Sequence, residues 1–258
     1  MRLLNFNLKF LIRILILLIL CQTSMINAAN AEIKPVKKWK VSDSLTIQEI
    51  APGIWVHTSW RKLANGIPFP ANGMLVRNGN ELVLIDTAWG ADITEELFHW
   101  IDSQLKLPVT IAIVTHFHDD SMGGSPVLVK RHVPFVGLPL TRELGKKEGV
   151  PLPGSIGDLQ VGDAVMIANV EVFYPGPAHT RDNIVVWVPE ARVLFGTCMI
   201  RSPALPGKGN TADADQANWP IAARLLRQKY PDAGIVVPGH GPVGDASLLT
   251  HTMNLFKG

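Results

Sequence analysis

Apolar runs separated by turn signals set the frame of this chain. Gly53 to His57, Met74 to Arg77 and Leu82 to Asp86 each read as a strand, with Asn78-Gly79-Asn80 as the hairpin turn between the last two. From Asp92 to Leu105 the period changes. Ile93, Leu97, Ile101 and Leu105 recur at helical spacing, and Asp92 and Glu95 stand in a capping-box pattern. A further strand, Val109 to Val114, runs into Thr115-His116-Phe117-His118, followed by a helix from about Gly124 and a short strand at Val133 to Val136. The second half repeats the plan with strands near Ala164 to Ile167, Val170 to Tyr174, Ile184 to Val188, Val193 to Phe195 and Gly234 to Val237, and with helices over Pro220 to Tyr230 and Asp245 to Phe256. Such alternation of strand, loop and helix predicts a layered α/β design. The stretch from Ser202 to Asn218, rich in Gly, Pro, Ala and Asp, is a long loop of the kind that often carries function.

The N-terminus breaks this plan. Arg2, Lys9 and Arg13 precede an unbroken apolar run from Ile14 to Cys21, and small residues follow at Ala28, Ala29 and Ala31. This reads as a secretory signal peptide over residues 1–31 with cleavage near 28–31, because the run falls well short of the ~20 residues that a membrane span needs. The rest, 32–258, has no repeat or low-complexity linker and is expected to form a single domain. With 258 residues and 47% hydrophobic content the chain can bury a sizeable core. A formal net charge of +2, from 24 basic and 22 acidic residues, leaves no field to attract nucleic acid. Signal removal leaves one cysteine, Cys198, which cannot form an internal disulfide.

Candidate chemistry concentrates where strands end. His116, His118 and Asp120 fall in the run Thr-His-Phe-His-Asp-Asp-Ser-Met-Gly-Gly directly after an apolar strand. Alternate residues leaving a strand point the same way, so two imidazoles can face one metal while the carboxylate turns to a second. His179 in Pro-Ala-His-Thr-Arg-Asp-Asn, Cys198 in Phe-Gly-Thr-Cys-Met-Ile and His240 in Val-Pro-Gly-His-Gly also lie just beyond apolar strands. Each alone would be an ordinary structural residue. Together they make four strand-end loops carrying metal-ligand side chains. His57, His99, His132 and His251 fit no ligand motif and are expected to be structural or solvent-facing.

From about Ile47 onward these motifs resemble the metallo-β-lactamases of subclass B1. The resemblance implies a four-layer αβ/βα sandwich, with two central mixed sheets, outer helices and a two-zinc site at the open edge. One zinc would take His116, His118 and His179, and the other Asp120, Cys198 and His240. Asp86 is similar to an aspartate behind the family's ligands, although a strand-ending turn cap is an equal reading. Arg201 stands where many relatives carry a lysine that holds the substrate carboxylate, and Asn210 where an amide polarises the lactam carbonyl. The segment Trp60 to Pro70 corresponds to a flap, in which Trp60 and Phe69 could touch substrate. Two positions depart from the family pattern: Thr197 and Ala178 each replace a glycine.

The implied activity is hydrolysis of penicillins, cephalosporins and carbapenems by a zinc-bound hydroxide, in a periplasmic monomer that confers antibiotic resistance. Hydrolysis of a thioester or lactone on the same scaffold remains the competing reading, because fold alone does not fix substrate. A zinc-binding protein without catalysis is the third.

Overall fold

A computed structural model describes residues 37–63 and 65–256; the signal-peptide reading lies outside them. Two mixed sheets form the centre. The first runs in order β1 (Lys38–Lys40), β2 (Leu45–Ala51), β3 (Ile54–Lys62), β4 (Pro68–Asn78), β5 (Glu81–Ile85), β6 (Val109–Ile113), β7 (Phe135–Gly137), β8 (Gly154–Ser155). Its first five strands pair antiparallel and the last four parallel, with β5 common to both sets. The second has the order β13 (Ile235–Pro238), β12 (Val193–Thr197), β11 (Val185–Val188), β10 (Val170–Phe173), β9 (Ala164–Ile167). Here β12 and β13 are parallel and the other pairs antiparallel.

Alternation along the strands creates the layers. Val83 and Ile85 of β5 face the second sheet and pack with Val170, Val172, Val186, Phe195 and Val237. Leu82 and Leu84 of the same strand face outward, onto Ile93 and Leu97 of α1 (Ala91–Trp100) and onto Leu128 of α3 (Ser125–Lys130). The outer face of the second sheet, through Val185, Leu194 and Val236, is covered by Trp219 and Leu226 of α5 (Trp219–Lys229) and by Leu248 and Leu249 of α6 (Ser247–Leu255). This is the expected four-layer sandwich. Each large apolar side chain buried in it contributes roughly 2–3 kcal/mol. Short helices α2 (Asp119–Met122) and α4 (Pro139–Leu144) lie in the connections that follow β6 and β7.

Local differences from the sequence reading have physical causes. The Lys-rich stretch ahead of Leu45, to which the sequence reading assigns no element, contains the edge strand β1, since pairing with β2 satisfies its backbone whatever its side chains. The helix read as Asp92 to Leu105 is α-helical only to Trp100, then widens into a π turn (Ile101–Leu105) that closes on Lys106 at φ 55°. No capping box forms. Gly90 is the N-cap, Asp92 pairs instead with Arg61 at 3.2 Å, and Glu95 pairs with Lys130 and Arg131. Ionic partners on neighbouring elements have captured both carboxylates.

Candidate metal centre

Topology delivers the ligand loops to one edge. In the second sheet β10, β12 and β13 run in the same direction, so their C-terminal ends share an edge and lead to His179, Cys198 and His240. In the first sheet the parallel neighbours β5 and β6 lead to Asp86 and His116. Open α/β sheets generally bind ligands beyond the carboxyl ends of their strands.

The six expected residues converge there. His116, His118 and His179 form a near-equilateral triangle of rings, with centroids 5.0, 5.2 and 5.0 Å apart and planes 77° to 79° to one another. His118 Nδ1 approaches His179 Nε2 to 3.1 Å. Asp120 adjoins this triangle through Oδ1, 3.5 Å from His116 Nε2, while its Oδ2 lies 3.3 Å from Cys198 Sγ and 3.2 Å from His240 Nε2. Cys198 Sγ and His240 Nε2 are 3.3 Å apart. Ligand atoms on a tetrahedron around zinc, with bonds of about 2.0–2.1 Å, stand roughly 3.3 Å from one another. The donor set therefore fits two divalent cations, one beside three imidazoles and one beside a carboxylate, a thiol and an imidazole.

Electrostatics agrees with that fit. Burial and the Asp120 carboxylate push the Cys198 thiol well above its ordinary pKa, so its thiolate form calls for a cation. Against the effect of burial, hydrogen bonds to His116 and His240 hold Asp120 well below the usual carboxylate range. Burial, with neighbouring His116 and His118, drives His179 well below the ordinary histidine value. His118 is lowered by burial and by His116, whereas bonding to Asp120 lifts His116 despite its burial. An ionised carboxylate beside two imidazoles, His118 and His179, that resist protonation suits a bound metal, which would also displace the proton that Asp120 favours on His116.

Partners on the far side orient the rings. His118 Nε2 meets Asp213 Oδ2 at 3.0 Å, and His240 Nδ1 donates to the Pro70 carbonyl at 2.6 Å. Asp86, 3% exposed, accepts from Thr115 N and Thr115 Oγ1 (both 2.7 Å) and from Ser121 Oγ. Thr115 Oγ1 in turn lies 3.2 Å from His116 Nδ1, so Asp86 reaches the ligand through Thr115. Burial pushes Asp86 up to about 6. Close approach is built in at Gly239, where an added Cβ would sit 2.5 Å from both the nitrogen and the sulfur of Cys198.

Residues 66–240 match the profile of the metallo-β-lactamase superfamily, a span that ends on His240. The chain belongs to that superfamily. It is 38% identical over 216 residues to the metallo-β-lactamase type 2 of Bacillus cereus, covering 83% of each chain. A metallo-β-lactamase from Erythrobacter litoralis has the same fold, with a TM-score of 0.81 at 35% identity, covering 86% of this chain and 99% of that one. The enzyme FIM-1 from Pseudomonas aeruginosa, solved in its mono-zinc form, matches with a TM-score of 0.79 at 33% identity, covering 84% and 97%.

In this metallo-β-lactamase His118, Asp120, His179 and His240 floor a cleft of about 500 Å³, walled by Leu63, Phe69, Trp89, Asp119, Glu148, Arg201, Gly209 and Asn210. Arg201 is only 3% exposed; its guanidinium lies over Gly209, whose φ of 73° lets the loop fold back onto it. Asn210 caps Ala212 N with its side-chain oxygen, which leaves its amide nitrogen as the donor end. Trp60 stands elsewhere. Along β3, Ser59 and Arg61 face Trp89 and Asp119, so Thr58 and Trp60 face the other way, into an apolar groove with Ile67, Leu205 and Pro242. Trp60 thus lines this groove and not the cleft, whereas Phe69 lines both and places its ring 5.0 Å from that of His240.

Two useful residues escaped the sequence reading. Trp89 follows β5 closely and donates to Asp119 at 2.9 Å, and its signal was the Asp-Thr-Ala-Trp run after the strand. Asp213 lies in Ala-Asp-Ala-Asp, where nothing distinguishes it from Asp215, which instead caps Asn218 N.

Proposed function

We propose that this metallo-β-lactamase hydrolyses the amide bond of β-lactams with two zinc ions, one held by His116, His118 and His179 and the other by Asp120, Cys198 and His240. The observation that carries this reading is the pair of abutting sets: the three imidazoles of His116, His118 and His179, and Asp120 with Cys198 Sγ at 3.3 Å and His240 Nε2 at 3.2 Å. Three ligands leave room for water and substrate, and zinc so bound lowers the pKa of its water to about 7.

The remaining work falls to the chain. Asp120, ionised at neutral pH, fixes a negative charge and an acceptor between the two sets. Arg201 pairs in bidentate fashion with the carboxylate that β-lactam antibiotics carry. Asn210 donates from its amide to the lactam carbonyl oxygen as charge develops there. Leu63, Phe69 and Trp89 cover the acyl side chain and exclude water. Water adds its oxygen to the carbonyl carbon, the C–N bond breaks, and the released nitrogen takes the proton. Penicillins, cephalosporins and carbapenems share these elements and are the proposed substrates. Export to the periplasm follows from the N-terminal signal pattern, and the exported chain works as a monomer free of the membrane.

Spectrophotometric turnover of one member of each class, with and without EDTA, tests the reading. Hydrolysis that EDTA abolishes and zinc restores is expected. Turnover of S-lactoylglutathione but of no lactam would overturn it.

A further inference from the structure

We propose that Thr197 is a positioning residue that couples the two halves of the metal centre through its hydroxyl. The inference rests on reading the two abutting triplets as metal ligands. Thr197 closes β12 directly before Cys198, at φ 49° and 1% exposed. That left-handed conformation favours glycine and is strained for a β-branched side chain. Strain of this kind persists where the surroundings fix it.

The hydroxyl supplies that fixation. Thr197 Oγ1 lies 2.9 Å from Thr115 Oγ1, across 82 residues of sequence. Thr115 spends its only hydroxyl proton on Asp86 Oδ2 at 2.7 Å, so it must accept from Thr197. It accepts from His116 as well, whose Nδ1 is 3.2 Å away. With Nδ1 protonated and bound to Thr115, the Nε2 of His116, on the side of Asp120, is left to offer its lone pair to a cation held by the ligand sets. The carbonyl of Thr197 meanwhile accepts from Gly239 N at 2.7 Å, next to His240. One residue therefore ties the loops of Cys198, His116 and His240 together, without lining the cleft. A glycine here would release the strain and lose the tie to His116.

Three variants separate strain from hydroxyl. Thr197→Val keeps the branched shape without the hydroxyl, Thr197→Ser keeps the hydroxyl, and Thr197→Gly removes both. Zinc affinity is measured by chelator competition on the folded protein, and the cobalt-loaded form is followed by its visible absorption. Partners behind a ligand typically change metal affinity about 10–100-fold, so Thr197→Val and Thr197→Gly are expected to bind zinc at least about tenfold more weakly, with a shifted cobalt spectrum. Thr197→Ser should stay within about twofold. In turnover, kcat should fall while KM holds. Without metal, Thr197→Gly should melt above Thr197→Val, and Thr197→Val below Thr197→Ser. Zinc binding by Thr197→Val or Thr197→Gly as tight as that of the wild type would overturn the proposal. Wild-type protein that binds no metal would instead overturn the ligand assignment, and the melting order would still judge the bridge.

Discussion

His57 offers a test that needs neither metal nor substrate. It is fully buried in β3, and neither ring nitrogen has a hydrogen-bond partner among the described residues. Burial lowers its pKa from 6.5 to about 4, with the Asp86 backbone beside it working the other way. Between those pH values the unfolded chain holds a proton on this ring that the folded chain refuses. Stability supplied by the neutral ring is therefore complete above 6.5 and lost as the pH falls toward 4. A shift of about 2.5 units at 1.36 kcal/mol per unit amounts to about 3 kcal/mol. Asp86 has the opposite sign. Its carboxyl is raised from 3.8 to about 6 by burial, so the folded chain holds a proton there that the unfolded chain has released. Stability from Asp86 is thus present at low pH and lost as the pH rises through 6, again by about 3 kcal/mol.

The two buried groups offset one another in the wild type, and removing one exposes the other. The expected result is that His57→Phe, unfolded by urea after EDTA treatment at a series of pH values, gains about 3 kcal/mol relative to wild type between pH 6.5 and 4. Asp86→Asn should diverge in the opposite direction over 3.8 to 6. Both readings use the change with pH rather than its level, so a packing cost of the larger ring cancels. Parallel profiles for His57→Phe and wild type would refute the argument.

Three further outcomes are expected. Cys198→Ser, which trades the thiol for a harder and less acidic hydroxyl, should lower the zinc content by chelator titration from two ions toward one and cut kcat by at least about tenfold; two retained ions would contradict the assignment. Arg201→Ala should raise KM for a carboxylate-bearing lactam about tenfold or more, with less change in kcat, because a charge-assisted hydrogen bond contributes about 1.5–3 kcal/mol; steady-state kinetics decides it. Arg61 forks between Asp92 at 3.2 Å and Asp119 at 3.3 Å next to the turn of the β3–β4 hairpin, but it is 41% exposed. Arg61→Ala should therefore cost less than about 1 kcal/mol in KM, and high salt should mimic the substitution in the wild type.

Legibility in the sequence followed the range of the interactions. The convergence of His116, His118, Asp120, His179, Cys198 and His240 was readable because each lies just past an apolar strand, and parallel strands bring such ends to one edge without any detail of side-chain packing. The strand β2 was missed: Leu45 and Ile47 are buried while Thr46 and Gln48 are partly exposed, but the alternation stops there and the rest of the strand is only partly buried. The side of the hairpin that Trp60 takes was not legible, because it depends on register with β4, where Arg61 opposes Phe69.

What the sequence hid was every contact made behind a ligand. Thr115 and Thr197 meet across two sheets, and Asp213 reaches His118 from a loop 95 residues away. Such pairs leave no periodic trace, because a hydroxyl or carboxylate in a turn satisfies the same local rules wherever its partner lies. Their consequence is nonetheless specific. His116, His118 and His240 each have one ring nitrogen committed to an oxygen, from Thr115, Asp213 and Pro70 respectively, so the other nitrogen must turn to the metal. Among the described residues His179 has no such oxygen; its buried Nδ1 meets no partner there, and its ring rests edge-on to Trp219 at 5.6 Å. Trp219 is itself fixed by a 2.6 Å bond to the Met199 carbonyl and by stacking on Phe256. Three imidazoles are thus aimed by hydrogen bonds and the fourth by packing against a wall that also supports the Cys198 loop, which makes Trp219 a joint where loss of core packing would reach His179 and Cys198 together.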